Sequence, residues 1–253
     1  MSAQTLGKKV LGFNFKSYFD KDRAVQWMTG LANALEKSET GGLELLVFPD
    51  NFSLDTAVRI LGSHSVGIGL QAVSPHPSGA FTGFAVAKMA ASWGVSWTMV
   101  GHAERRSLAA EDPNTLKQMI MAAREAGLNV LYCLGEAEAG EPSRVARAIW
   151  VELENQGLVG EAGKHVVIAY EPIWAIGATL PASPNYLLDV MGELANLSAD
   201  EGCSLPRTIY GGSANLELFD SLGNVFDGFF LGRAAHDHRV FTSAINLLSG
   251  GST

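Results

Sequence analysis

The sequence predicts a single α/β domain closed as a (β/α)8 barrel, and three observations carry that prediction. Short apolar runs rich in β-branched and aromatic residues alternate with longer amphipathic stretches, as strands alternate with helices. Eight such runs are present. The chain has 253 residues, 47% of them hydrophobic and 17% charged, which suits one barrel and allows a sizeable core. An even set of eight units closes more naturally than it forms an open sheet, because closure removes both edges.

The strands are expected at residues 10–15, 44–49, 66–73, 96–101, 129–135, 165–171, 207–212 and 226–232. The segments between them are long enough for the crossover helices that parallel pairing requires. Asp112-Pro113 places an N-cap before a proline, and Ser183-Pro184 does the same ahead of a helix over 186–197. Gly127 and Gly202 stop two helices. No linker, composition shift, low-complexity tract or close repeat divides the chain, so residues 1–253 are expected to form one domain.

Charge narrows the function. Eighteen Lys and Arg stand against 26 Asp and Glu, a formal net charge of −8, so the overall field repels nucleic acid and anionic membranes. A small anionic substrate needs a local positive pocket. The two cysteines, Cys133 and Cys203, show neither disulfide-framework nor zinc-site spacing and are expected as reduced residues in or near the core. No apolar stretch reaches the length of a membrane span, and Asn14 and Lys16 interrupt the first apolar run too early for a signal peptide. The expected location is cytoplasmic.

In a (β/α)8 barrel the strand C-termini build the active site. Lys16, His102 and Glu171 each sit where an expected strand runs out. Singly, each has an ordinary explanation as a surface charge, a structural imidazole or a loop carboxylate. A cation, an imidazole and a carboxylate on three strand ends at one mouth must instead be solvated, paired or used. The run Tyr210-Gly211-Gly212-Ser213-Ala214-Asn215 reads as a strand, a glycine pair and a helix start, whose backbone N–H groups can face an anion. Phe230-Leu231-Gly232-Arg233 repeats the design one strand later. His236-Asp237-His238 reads as a pair of surface histidines, and no metal or organic cofactor is expected.

These residues resemble the triosephosphate isomerase family over nearly the whole chain. The strongest stretches are Ala169-Tyr170-Glu171-Pro172-Ile173-Trp174-Ala175-Ile176-Gly177 and Val100-Gly101-His102-Ala103-Glu104-Arg105-Arg106. Asn14-Phe15-Lys16, Gly79-Ala80-Phe81-Thr82-Gly83, Cys133-Leu134-Gly135-Glu136 and Tyr210-Gly211-Gly212-Ser213 add to it. The resemblance implies a TIM barrel that interconverts dihydroxyacetone phosphate and D-glyceraldehyde 3-phosphate through an enediolate. It implies Glu171 as the base, His102 as a neutral proton donor, Lys16 as the fixed cation, Asn14 as an orienting group and Glu104 as the carboxylate behind Lys16. Gly177, Ser213, Gly232 and Arg233 would hold the phosphate, and residues 172–182 would form a lid. The Gly79–Gly83 loop implies a homodimer, with Thr82 reaching a neighbour's Asn14.

The sequence also departs from the family. Phe15 stands for a usual Trp, Ala103 for a usual Ser, Phe84 for a usual Glu, and Arg233 for a second Gly. The far lid hinge reads Ala178-Thr179-Leu180-Pro181-Ala182, which Pro181 should stiffen. The stretch 181–183 with Gly232-Arg233 also resembles relatives that act on four-carbon ketose phosphates, which leaves such a tetrulose phosphate as the alternative substrate. A third reading is a phosphosugar-binding barrel without catalysis.

Overall fold

The structure is a computed structural model and describes residues 8–37, 40, 42–178, 182–213 and 216–249. Eight parallel strands close into a barrel in chain order. They are β1 Val10–Asn14, β2 Glu44–Phe48, β3 Val66–Leu70, β4 Trp97–Val100, β5 Asn129–Leu134, β6 Val166–Tyr170, β7 Arg207–Tyr210 and β8 Gly228–Leu231. The expected TIM barrel is the fold.

Nine α-helices lie among the described residues: α1 Lys21–Leu35, α2 Leu54–Leu61, α3 Ala87–Ser92, α4 Ala103–Leu108, α5 Pro113–Glu125, α6 Pro142–Gln156, α7 Pro184–Asp200, α8 Leu218–Leu222 and α9 His238–Leu248. Their boundaries follow local chemistry. Asp112 accepts from Thr115 N at 2.7 Å with Pro113 opening α5, and Ser183 accepts from Tyr186 N at 3.3 Å with Pro184 opening α7. Gly127 and Gly202 follow the ends of α5 and α7 in left-handed conformations, with φ of 76° and 62°. The α1 face formed by Ala24, Trp27, Met28 and Leu31 repeats every three or four residues and is buried against the barrel.

The strands are apolar on both faces because each faces a different core. One set, including Leu46, Phe48, Trp97, Met99, Leu131, Val167, Ile209 and Phe230, fills the barrel interior, and a larger set packs beneath the helices. Interior space is shared between large rings and missing side chains. A Cβ on Gly69 would lie 2.2 Å from the Phe48 ring, so Phe48 occupies the volume that Gly69 leaves.

Several expected boundaries shift. The third strand stops at Leu70, not at 73, and Gln71 leaves the ladder to donate its amide to Lys16 O at 2.8 Å. The eighth begins at Gly228, not at 226: Phe226 N still donates to Leu222 O, and Asp227 is the junction, donating to Thr208 O at 2.7 Å and accepting from Val10 N at 2.8 Å. The helix start expected after the glycine pair falls on Ala214 and Asn215, which lie outside the described residues, and the described helix α8 opens at Leu218. Cys133 is buried, Cys203 is partly exposed, and both are free thiols. Among the described residues no helix is long and apolar enough to cross a membrane.

Closure joins β1 to β8, with Val10 opposite Gly228. A Cβ on Gly228, whose φ is 149°, would fall 1.8 Å from Val10 O. Gly228→Ala is therefore expected to cost more than about 3 kcal/mol in urea unfolding by forcing the closing strands apart. A loss within about 1 kcal/mol would show that the seam tolerates side chains there.

Candidate active site

The strand ends meet at one cavity of about 440 Å³. Asn14, Lys16, His102, Glu104, Glu171, Gly177, Ser213, Gly232 and Arg233 all line it. Each sequence-derived site residue thus faces the same space. Gly211 and Phe230, from the two glycine-bearing strand ends, line it as well, and so does Tyr18, which nothing in the sequence singled out.

Lys16 follows β1 in the left-handed region, with φ of 49°, an unusual conformation for a side-chain-bearing residue. Three contacts hold it. Asn14 Oδ1 accepts from Lys16 N at 2.8 Å, Gln71 Nε2 donates to Lys16 O at 2.8 Å, and Lys16 Nζ donates to Glu104 Oε1 at 2.5 Å. Backbone strain concentrated at a cavity residue marks a position the surroundings over-determine. Gln71 escapes sequence reasoning because its role depends on where β3 stops.

His102 caps α4, and its Nδ1 accepts from Glu104 N at 3.3 Å. That bond places the ring proton on Nε2, the nitrogen directed toward Glu171. Burial, and then the positive charge of Lys16, lower the His102 pKa to about 4. The imidazole is therefore neutral at pH 7.

Glu171 follows β6, and its backbone N donates to Leu134 O at 2.8 Å. Its carboxyl group is buried, Oε2 has no hydrogen-bond partner, and burial pushes the pKa up to about 8 in spite of Lys16. Oε2 lies 3.9 Å from His102 Nε2, too far for a hydrogen bond. With the histidine neutral, the contact is no ion pair. Gly211 lies against the carboxyl group, where a Cβ would come within 2.8 Å of Oε1.

The opposite wall carries the elements expected to face an anion. Gly177 and Ser213 are in left-handed conformations, with φ of 73° and 53°, and Ser213 Oγ donates to Ala175 O at 2.9 Å. Gly232 is followed by a single 3-10 turn, Arg233–His236. The Arg233 side chain is exposed, points toward Gly177 and has no carboxylate partner among the described residues. Thr179, Leu180 and Pro181 lie outside the described residues, and with them the expected stiff hinge. Among the described residues no group of three or more His, Cys, Asp or Glu could hold a metal ion, His236-Asp237-His238 included.

A family model for triosephosphate isomerase matches residues 9–248. The chain belongs to that family. It is 32% identical to an L-erythrulose-1-phosphate isomerase of Pectobacterium atrosepticum, over 94% of this chain and 95% of that one. It is 30% identical to a triosephosphate isomerase of Solibacter usitatus, over 94% and 99% of the two chains. With a triosephosphate isomerase of Bordetella pertussis it shares 36% identity over 74% and 77%.

The sign of the Glu171 shift fixes a pH effect on stability. Its pKa is raised in the fold, from 4.5 to about 8, so the native state holds the proton more tightly. The resulting stabilisation is full below pH 4.5 and is lost as pH rises toward 8. Glu171→Gln cannot ionise, and its Tm advantage over the parent chain is expected to grow from pH 5 to pH 8 by on the order of 5 °C. Calorimetry at the two pH values checks this, and an advantage equal at both would contradict a raised pKa.

Proposed function

We propose that this chain is a proton-transfer isomerase of small phosphorylated ketoses, and that it interconverts dihydroxyacetone phosphate and D-glyceraldehyde 3-phosphate. What carries the reading is the pairing of a buried carboxyl base with a buried neutral imidazole across one gap, beside a fixed ammonium. In its ionised form, which the Lys16 charge favours against the raised pKa, Glu171 removes a proton from the carbon next to the carbonyl. The C–H electron pair becomes the enediolate double bond, and negative charge develops on the carbonyl oxygen. His102 Nε2–H and Lys16 Nζ face that oxygen and stabilise it. His102 relays a proton between the two oxygens, and Glu171 returns its proton to the neighbouring carbon. Asn14 orients the substrate oxygen, and Glu104 holds Lys16. The phosphate rests on backbone N–H groups at Gly177, Ser213, Gly232 and Arg233. A cover beginning at Pro172 would keep water from the enediolate. No step calls for a metal or organic cofactor.

A four-carbon ketose phosphate is the second reading. The relative named L-erythrulose-1-phosphate isomerase favours it. Arg233 does so too, since it brings a side-chain cation to the phosphate wall. The same base, acid and cation serve a substrate longer by one hydroxymethylene. We further propose that the chain acts in the cytoplasm as a homodimer. The exposed loop at 77–84 would extend Thr82 to a second copy's Asn14. Phe84, Met89 and Trp93 are exposed together beside it, and apolar contact there would replace an ion pair at position 84. Arg105 is engaged within its own chain, 2.5 Å from Glu111.

Two measurements test these readings. Side-by-side turnover of triose and tetrulose phosphates by one preparation is expected to show the higher kcat/KM on the triose, with Glu171→Asp lowering kcat by about a hundredfold. A higher kcat/KM on the tetrulose favours the second reading, and binding without deuterium exchange at the substrate carbons refutes catalysis. Sedimentation at micromolar protein is expected to give a dimer, and a fully active monomer would refute the assembly.

A further inference from the structure

Glu136, just after β5, gathers three aromatic donors on one carboxylate. Tyr170 OH donates to Oε2 at 3.0 Å, while Trp174 Nε1 and Tyr186 OH both donate to Oε1 at 2.8 Å. Its backbone takes part too, with Ile173 N donating to Glu136 O at 2.9 Å. The donors come from different places along the chain. Tyr170 ends β6, immediately before Glu171. Trp174 lies three residues after Glu171, in the 3-10 turn Ile173–Ala175. Tyr186 stands in the first turn of α7, and its ring meets that of Trp174 edge-on at 5.6 Å.

One oxygen therefore ties the chain just after the base to the start of α7. A carboxylate oxygen can accept both bonds at once, and each sharpens the orientation of the other. Tyr170 and Tyr186 stay protonated, because burial and the neighbouring carboxylate raise both phenols. All three groups are thus donors and Glu136 the common acceptor. Glu171 itself has little side-chain anchorage: Oε2 is unpartnered and the residue is fixed mainly through its backbone. Where its carboxyl group points depends on how firmly residues 172–174 are held.

We propose that Tyr186 is a positioning residue for Glu171, acting through Glu136 and Trp174. This rests on Glu171 being the base, as proposed above. Tyr186→Phe keeps the ring contact and removes one donor. With the Trp174 anchor loosened, kcat and kcat/KM are expected to fall together by about tenfold at unchanged KM, the mark of an interaction realised in the transition state. Tyr186→Phe and Trp174→Phe, which act on the same oxygen, are expected to be non-additive in kcat when combined. In protein carrying 5-fluorotryptophan, assigned by comparison with Trp174→Phe, the Trp174 fluorine resonance should shift or broaden in Tyr186→Phe. An unmoved resonance, additive kcat effects, or a change in KM alone overturns the proposal. If the parent chain turns over neither triose nor tetrulose phosphate, the functional reading fails separately, and the resonance alone decides the tie: moved, Tyr186 orients Trp174; unmoved, it does not.

Discussion

A carboxyl group kept almost dry, with one oxygen lacking any hydrogen bond, is the constraint on which the rest of this molecule turns. Desolvating such a group favours its protonated form, and an ionised one costs several kcal/mol unless charge is supplied nearby. At Glu171 the nearby charge is Lys16, which opposes the rise in pKa without cancelling it. The result is a carboxyl group that holds its proton well above the ordinary carboxylate range. Space is equally controlled. Gly211 presents no side chain to the carboxyl group, and the Leu134 carbonyl fixes the backbone from the neighbouring strand. A group bound so lightly by side chains takes its aim from the segments on either side.

The cation and the imidazole are arranged by the same logic. Lys16 holds a backbone conformation that costs energy, supported by contacts from β1, from the end of β3 and from α4. Glu104 serves both groups: its carboxylate holds Lys16, and its backbone N–H selects the tautomer of His102. Lys16 in turn depresses the histidine pKa while opposing the rise in that of Glu171. The three groups are electrostatically coupled, so altering one alters the protonation of the others.

Much of this was legible in the sequence because barrel strands are buried on both faces and read as unbroken apolar runs. A polar residue at the end of such a run then has one place to go. Lys16, His102 and Glu171 were found that way, and Asp112 and Ser183 announced their helices through capping chemistry. Gln71, Tyr18 and Tyr186 were not visible as functional. Their importance depends on distances across the barrel, 55 positions in sequence between Gln71 and Lys16 and 50 between Tyr186 and Glu136. Local pattern carries no such information.

The seam between β1 and β8 bears on how the molecule comes into being. Residues that pair there, such as Val10 and Gly228, belong to opposite ends of the chain. Loop-closure entropy must be met before such a contact stabilises anything, so this pairing belongs to the slow, non-local part of folding. A chain emerging from the ribosome holds its first strand with one edge unsatisfied until nearly everything else has been made. Lys16 sits at the end of that first strand and Arg233 just beyond the last. The two walls of the cavity therefore face each other only once the ring has shut, and a barrel short of its final strand has no complete site.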